Sequence, residues 1–263
     1  MEKVIVSLFI LLMSLCVASS VFAESFDDQL NKASKDFDTK KLRSIILKMK
    51  SQKVVPSEQT IINVTKLGDL SIVKQVKAIG GKMTAKVLNC AVEMYYEDIV
   101  KYLISVKVPL DSGAIANAAH NGDLNMMKYL VSKKAPIDST AINNAVENGN
   151  LDKVKYLVSI KAPIDSGAIY HAAGFGYLDI LKYLVSIKAP KDSNAIANAA
   201  IFGHLDALKY LISIKAPIDQ NTIINYQACK TGLPSEDIVK IDDVFKSLGY
   251  KLPETKPNCS WSN

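Results

Sequence analysis

Apolar and polar positions along this chain recur with a period of 27 residues. In the copy from Pro163 to Ala189, Ala168, Ile169, Ala172 and Ala173 return at helical spacing. Leu178, Leu181, Leu184 and Val185 then share one face of a second segment, with Asp179, Lys182 and Ser186 opposite. Two amphipathic helices per copy are predicted. Pro163-Ile164-Asp165-Ser166 reads as a turn ending in an N-cap, Gly176 as a left-handed stop, and Pro190 as the opening of the next copy. Clear copies begin at Pro109, Pro136, Pro163 and Pro190 and run to Ala216. A fixed period of this length predicts a solenoid, in which each unit buries its apolar face only against its neighbours.

The run A-A-x-x-G-x-L-x-x-[LVM]-K-Y-L-[VI] recurs in register, with Val146 replacing the second alanine in one copy. It resembles the ankyrin repeat, over about residues 55 to 230. The resemblance implies an all-α, ankyrin-like solenoid of stacked helix–turn–helix repeats that binds another protein. Ankyrin repeats usually run to about 33 residues, so roughly six are absent here, where the family places its β-turn finger. The T-P-L-H segment is replaced by strings such as Gly167-Ala168-Ile169-Tyr170, and Lys134, Lys161, Lys188 and Lys215 stand where the second helix usually ends in glycine.

Six repeats are expected, at 55–81, 82–108, 109–135, 136–162, 163–189 and 190–216. The first two are worn, and Tyr95 takes the place of a helix-stopping glycine. Residues 24–54 form an amphipathic pair suited to an N-terminal cap. Residues 217–250 form a divergent last repeat and a C-terminal capping helix, with an irregular tail at 251–263. Residues 1–23 read as a signal peptide: Lys3, an apolar core from Val4 to Val17, and small residues Val21 and Ala23 before the break. The rival reading is an uncleaved membrane anchor. Cleavage predicts an exported protein, periplasmic or secreted, without stable membrane insertion and acting as a monomer.

Stacking turns equivalent positions into columns. The formal charge of +6 invites a nucleic-acid reading. However, the lysine column Lys74, Lys101, Lys128, Lys155, Lys182 and Lys209 follows Asp98, Asp152, Asp179 and Asp206 by three residues, which predicts local ion pairs. A second column, from Lys107 to Lys215, lies at helix C-termini, and Arg43 is the sole arginine, so nucleic acid is not expected as a partner. Tyr102, Tyr129, Tyr156, Tyr183 and Tyr210 read as packing between repeats or as a stacking platform. Asn63, Asn117, Asn144, Asn198 and Asn225, interrupted by Cys90 and His171, read as a hydrogen-bonded ladder or a recognition surface.

Positions that drift between copies carry the candidate binding site. Around the end of the first helix, His120, Asn121 and Asp123 give way to Glu147, Asn148 and Asn150, then to Gly174, Phe175 and Tyr177, then to Ile201, Phe202 and His204. Phe175, Tyr177, Phe202 and His204, with Tyr170 and His171, would form an aromatic patch across two repeats. The competing reading has these rings covering a gap left by the missing fingers. No phosphate loop, nucleophile elbow or metal-ligand spacing occurs, and His120, His171 and His204 fall in separate copies, so no catalytic site, metal or cofactor is expected. Cys90 reads as a free thiol. Cys229 and Cys259 flank the divergent C-terminal unit and would staple the tail over the cap. The alternatives to a protein-binding module are a structural or protective role (an envelope scaffold, or an antidote masking an exported toxin) and, third, polyanion or glycan binding.

Overall fold

A computed structural model describes residues 24–252, apart from 122, 123 and 193. The predicted signal peptide, Asp123 and Cys259 lie outside the described residues. Sixteen α-helices and one 3-10 turn occur among the described residues, with no strand. The chain divides into two compact units, at residues 1–109 and 110–263.

In the first unit, helices α1 (Phe26–Lys35), α2 (Thr39–Ser51), α3 (Glu58–Thr65), α4 (Leu70–Ala78), α5 (Ala85–Glu93) and α6 (Glu97–Ser105) follow in pairs. The first members, α1, α3 and α5, pack on one another as one layer, and α2, α4 and α6 form the second. The second unit repeats the scheme. Its inner layer is α7 (Ser112–His120), α9 (Ser139–Glu147), α11 (Gly167–Gly174), α13 (Asn194–Ile201) and α15 (Gln220–Cys229). Its outer layer is α8 (Leu124–Ser132), α10 (Leu151–Ser159), α12 (Leu178–Ser186), α14 (Leu205–Ser213) and the terminal α16 (Ser235–Ser247). Within this unit the inner helices approach more closely than the outer ones. The cause is side-chain size: Ala168, Ala172 and Ala173 are fully buried between inner helices, whereas Ile180, Leu181 and Leu184 fill the wider space behind.

Most of the described helices end where a residue turns left-handed; α15 instead runs on into the 3-10 turn. Gly176 (φ 71°) closes α11, with Tyr177 N–H bonding Ala172 O (3.0 Å) and Gly176 N–H bonding Ala173 O (3.2 Å). The same closure ends the outer helices, but on lysine: Lys107, Lys134, Lys161, Lys188 and Lys215 all have φ between 52° and 61°. A residue with a Cβ gives up roughly 1–2 kcal/mol in that conformation. The next residue holds it there, since Val108, Ala135, Ala162, Ala189 and Ala216 are buried against the stack. The lysine charge also faces the carbonyl end of the helix, which favours a cation. Tyr95, the substitute for glycine at the end of α5, adopts φ 61° with the same pair of bonds.

From the end of one outer helix to the start of the next inner helix the chain makes only a short turn, as at residues 160–166. That is where the β finger of a longer repeat would stand. Beyond α15 a 3-10 turn at Lys230–Gly232 leads into α16, which closes the second unit by burying Ile241 and Phe245 against Tyr226.

Candidate functional site

Four columns bind successive repeats to one another. At the start of the inner helices, the Ser166 hydroxyl donates to Asp192 (3.3 Å), and Asp138, Asp165 and Asp192 each accept from the backbone N–H two residues on, as Asp165 does from Gly167 (2.9 Å). The Ser112 and Ser139 hydroxyls, each one repeat earlier, are the largest influences holding the Asp138 and Asp165 carboxyls below their usual range. Along the asparagine column, Asn144 donates to Ala116 O (3.0 Å) and Asn198 to Tyr170 O (3.1 Å). In the first unit Asn63 donates to Asn31 (3.0 Å). Of the two readings open to this column, these bonds make it a ladder. Cys90, which interrupts it, is a buried free thiol, and burial pushes its pKa up.

The lysine column departs from expectation. Among the described residues no ion pair joins Asp152 to Lys155, Asp179 to Lys182, or Asp206 to Lys209. Asp98 and Asp179 instead accept from the free first-turn N–H groups of Ile99 and Ile180 (2.8 Å each), the positive end of the helix dipole. The lysines reach across to the next repeat's tyrosine. Lys74 lies over Tyr102, Lys128 over Tyr156, Lys155 over Tyr183 and Lys182 over Tyr210, at 5.3–5.9 Å from ring centroid to amine. Each such contact is worth about 0.5–1 kcal/mol at an exposed site. The half-buried tyrosine column is thus the counterpart of Lys74, Lys128, Lys155 and Lys182, while Lys101 pairs with Glu97 on its own helix.

The six candidate aromatic positions fall into three environments. Tyr177 and His204 each lie on the left-handed glycine of the preceding repeat. A Cβ built on Gly149 would come within 2.8 Å of Tyr177 Cζ, and one on Gly176 within 2.4 Å of His204 Nδ1. Tyr96 and Leu233 cover Gly68 and Gly203 in the same way. These two rings therefore fill space between repeats, at the turn after the inner helix and not at the 160–166 turn where the missing finger would stand. Tyr170 and His171 are half-buried on α11. His171 Nδ1 stands 3.2 Å from Glu147, and burial followed by the Asp192 charge raises the Tyr170 pKa. Tyr170 also lines a shallow groove of about 530 Å³ with Asn143, Asp165, Asp192 and Asn194.

Phe175 and Phe202 alone stand out, 48 % and 58 % exposed at one position of successive repeats. Phe175 joins a row of rings, with centroids 6.5 Å from His171 and 5.8 Å from Tyr177. Cys229 occupies the next place in that column, 27 residues after Phe202, and is disulfide-bonded.

Two polar groups outside the sequence-derived candidates are drawn into the packing, Lys153 buried and Asp242 half-buried. Lys153 is 4 % exposed, with its amine donating to Ala119 O and Asn148 Oδ1 (3.0 Å each). A column comparison would have found it, because Ile72, Ile99, Met126, Ile180 and Ala207 hold the equivalent positions. In the C-terminal cap, Asp242 accepts from Tyr226 (2.9 Å), Gln227 (3.0 Å) and Lys230 (2.8 Å). Burial, then that carboxylate, drives the Tyr226 pKa far up. Among the described residues no group of three or more His, Cys, Asp or Glu side chains could hold a metal. Nor is any described helix long and apolar enough to cross a membrane.

Residues 88–169 and 115–193 match the family model described as ankyrin repeats (3 copies). None of the curated proteins compared with the chain matches it.

Proposed function

We propose, from the ankyrin repeats carried by residues 88–193, that this chain is an exported, non-catalytic module that binds another protein. Ankyrin repeats are in general protein–protein interaction modules. The observation that carries the reading is the exposure of Phe175 and Phe202 at one position of neighbouring repeats. The other columns are occupied internally: serine meets aspartate, asparagine meets backbone, lysine meets tyrosine, and Tyr177 and His204 meet glycine. Large apolar groups left in water at regular spacing are suited to anchor an interface. Their neighbours Tyr170 and His171 border the same face. Export rests on the pattern of residues 1–23, and N-terminal sequencing of the mature protein is expected to begin at Glu24. In that compartment Cys229 pairs with Cys259, so a non-reducing peptide map is expected to recover the two linked. Finding both as free thiols removes the pairing.

The test is affinity capture of partners with residues 24–263, comparing the parent with a Phe175→Ala, Phe202→Ala variant. Tyr177 and His204 are left intact because they support the stack. A protein captured by the parent and lost by the equally helical variant supports the module and its face. Equal capture by both moves the site elsewhere, and capture by neither removes the reading in the surroundings sampled. That last outcome favours the structural or protective role, as a scaffold or a toxin-masking antidote, to which the self-contained columns lend support. Polyanion or glycan binding draws less support, since Lys74, Lys128, Lys155 and Lys182 already face tyrosine rings. It predicts steep salt dependence.

A further inference from the structure

We propose that the Phe175–Phe202 edge receives a basic amphipathic helix of the partner protein. Two apolar residues of that helix, roughly two turns apart, meet the two rings, and its lysines or arginines meet Asp179 and Asp206. The proposal rests on the protein-binding reading above and names the chemistry of the partner.

The apolar half of the site is a matched pair. Phe175 and Phe202 stand at the C-terminal ends of α11 and α13, 27 residues apart in the chain, and both are exposed. Asn148 holds the same place one repeat earlier and Cys229 one repeat later, so the apolar stretch is two repeats wide. Packed helices lie about 8–10 Å apart. A segment that meets both rings from one face therefore needs anchors at about that spacing. In an α-helix, residues i and i+7 share a face and lie about 10.5 Å apart, a recurrent anchor spacing for a helix that docks by its apolar face. An extended segment fits less well, because its same-face residues lie about 7 or 13 Å apart.

The charged half follows each ring directly. Beyond Phe175 and Phe202 the chain turns into the next outer helix, and the first turn of that helix carries an exposed aspartate, Asp179 in α12 and Asp206 in α14. Gly176 and Gly203, the residues next to the rings in the chain, line a recess of about 360 Å³ together with His204 and Asp206. That places the Asp206 carboxylate on the surface adjoining the two phenylalanines.

The cations of this region are engaged elsewhere. Lys155 lies over Tyr183 and Lys182 over Tyr210, Lys153 is buried on Ala119 O and Asn148, and Lys230 is bonded to Asp242. His171 is met by Glu147, itself a further acid at the end of α9. Among the described residues no ion pair reaches Asp179 or Asp206, even from Lys182 and Lys209 three residues on. Exposed carboxylates beside exposed rings attract an apolar cationic partner and repel an anionic one. Anionic lipid or nucleic acid, which the formal charge of +6 would draw to the chain as a whole, is thus disfavoured at this edge.

The probe is a fluorescein-labelled alanine–lysine peptide of about 18 residues, long enough to hold a helix, with two phenylalanines at i and i+7. Fluorescence anisotropy measures its binding to the mature chain, residues 24–263. Phe175→Ala, Phe202→Ala is expected to weaken binding about tenfold or more. The near-isosteric Asp179→Asn, Asp206→Asn variant should weaken it about two- to fivefold and flatten its salt dependence, with far-UV circular dichroism unchanged in both. A peptide with glutamate for lysine, or with the phenylalanines at i and i+2 and so on opposite faces, should bind about tenfold more weakly. Equal binding by either altered peptide, or indifference to either variant, overturns the proposal. So does a parent chain that binds none of the peptides; a phenylalanine-dependent partner still recovered by affinity capture then shows that the helix class alone has failed, whereas failure of both removes the module as well. Phenylalanine-dependent sedimentation with phosphatidylglycerol vesicles overturns it in favour of a lipid surface, and phenylalanine-dependent self-association in favour of a second copy.

Discussion

Replacing Gly176 with alanine separates two demands that the repeat makes on one residue. The backbone there has φ 71°, and a Cβ would lie 2.4 Å from Nδ1 and 2.7 Å from Cγ of His204. Gly149 is the matched case, with φ 70°, but its Cβ would meet the phenol end of Tyr177, Cζ at 2.8 Å and the hydroxyl at 3.1 Å. A left-handed alanine costs roughly 1–2 kcal/mol. It recovers about 0.4–1 kcal/mol by restricting the unfolded chain. Both variants therefore share a net loss of about 1 kcal/mol from the backbone. At Gly149 the remaining contact is relieved when the tip of Tyr177 swings outward. At Gly176 the offending Cγ sits one bond from the His204 Cβ and retreats only if the backbone moves, so overpacking adds about 1–3 kcal/mol. The expected losses are about 1 kcal/mol for Gly149→Ala and about 2–4 kcal/mol for Gly176→Ala. Urea unfolding followed by far-UV circular dichroism measures both, with the slopes compared to check that cooperativity is retained. Adding His204→Ala to Gly176→Ala should show a favourable coupling of about 1 kcal/mol or more in a double-mutant cycle. Equal losses at the two glycines, or a cycle without coupling, would refute the steric argument and leave only the backbone one.

Two further predictions rest on the polar columns. The Asp138 and Asp165 carboxyls are held low, chiefly by Ser112 and Ser139 of the preceding repeats. A depressed folded pKa gives stability that is present above the unfolded value, about 3.9, and is lost as pH falls through the folded one. Ser139→Ala should therefore lower stability at neutral pH, with the difference from the parent shrinking as pH falls through the folded Asp165 value; a difference that does not change with pH counts against the serine–aspartate column. In the C-terminal cap, Asp242→Ala leaves the Tyr226 hydroxyl, the Gln227 amide and the Lys230 ammonium without their shared acceptor. A loss of about 2–4 kcal/mol is expected, and amide exchange should rise in Gln220–Ser247 before it rises in α9 and α11. Uniform exchange across the second unit would contradict that local role.

The legibility of this protein in its sequence tracks the range of the forces involved. The 27-residue period, the paired helices, their N-caps and their left-handed ends depend on a few neighbouring residues, and Asp165, Gly176 and the alanines of α11 announced them. The lysine at the close of each outer helix was legible as a departure from glycine, and its φ of 52–61° is secured by the buried residue after it. Contacts between repeats are another matter. A lysine with aspartate three residues back and tyrosine 28 residues on has two partners of comparable worth, and only the stack puts the ring within reach of the amine. The aromatic positions divided for the same reason. Tyr177 and His204 look like Phe175 and Phe202 in the sequence, but the first two project over a neighbour's glycine and the second two into water. The burial of Lys153 and the donors gathered on Asp242 carry no local sign, because their surroundings come from segments up to 34 residues away. Local backbone preferences, written in adjacent residues, thus determined the repeat. Which side chains face one another, and which face solvent, was decided only when the repeats packed.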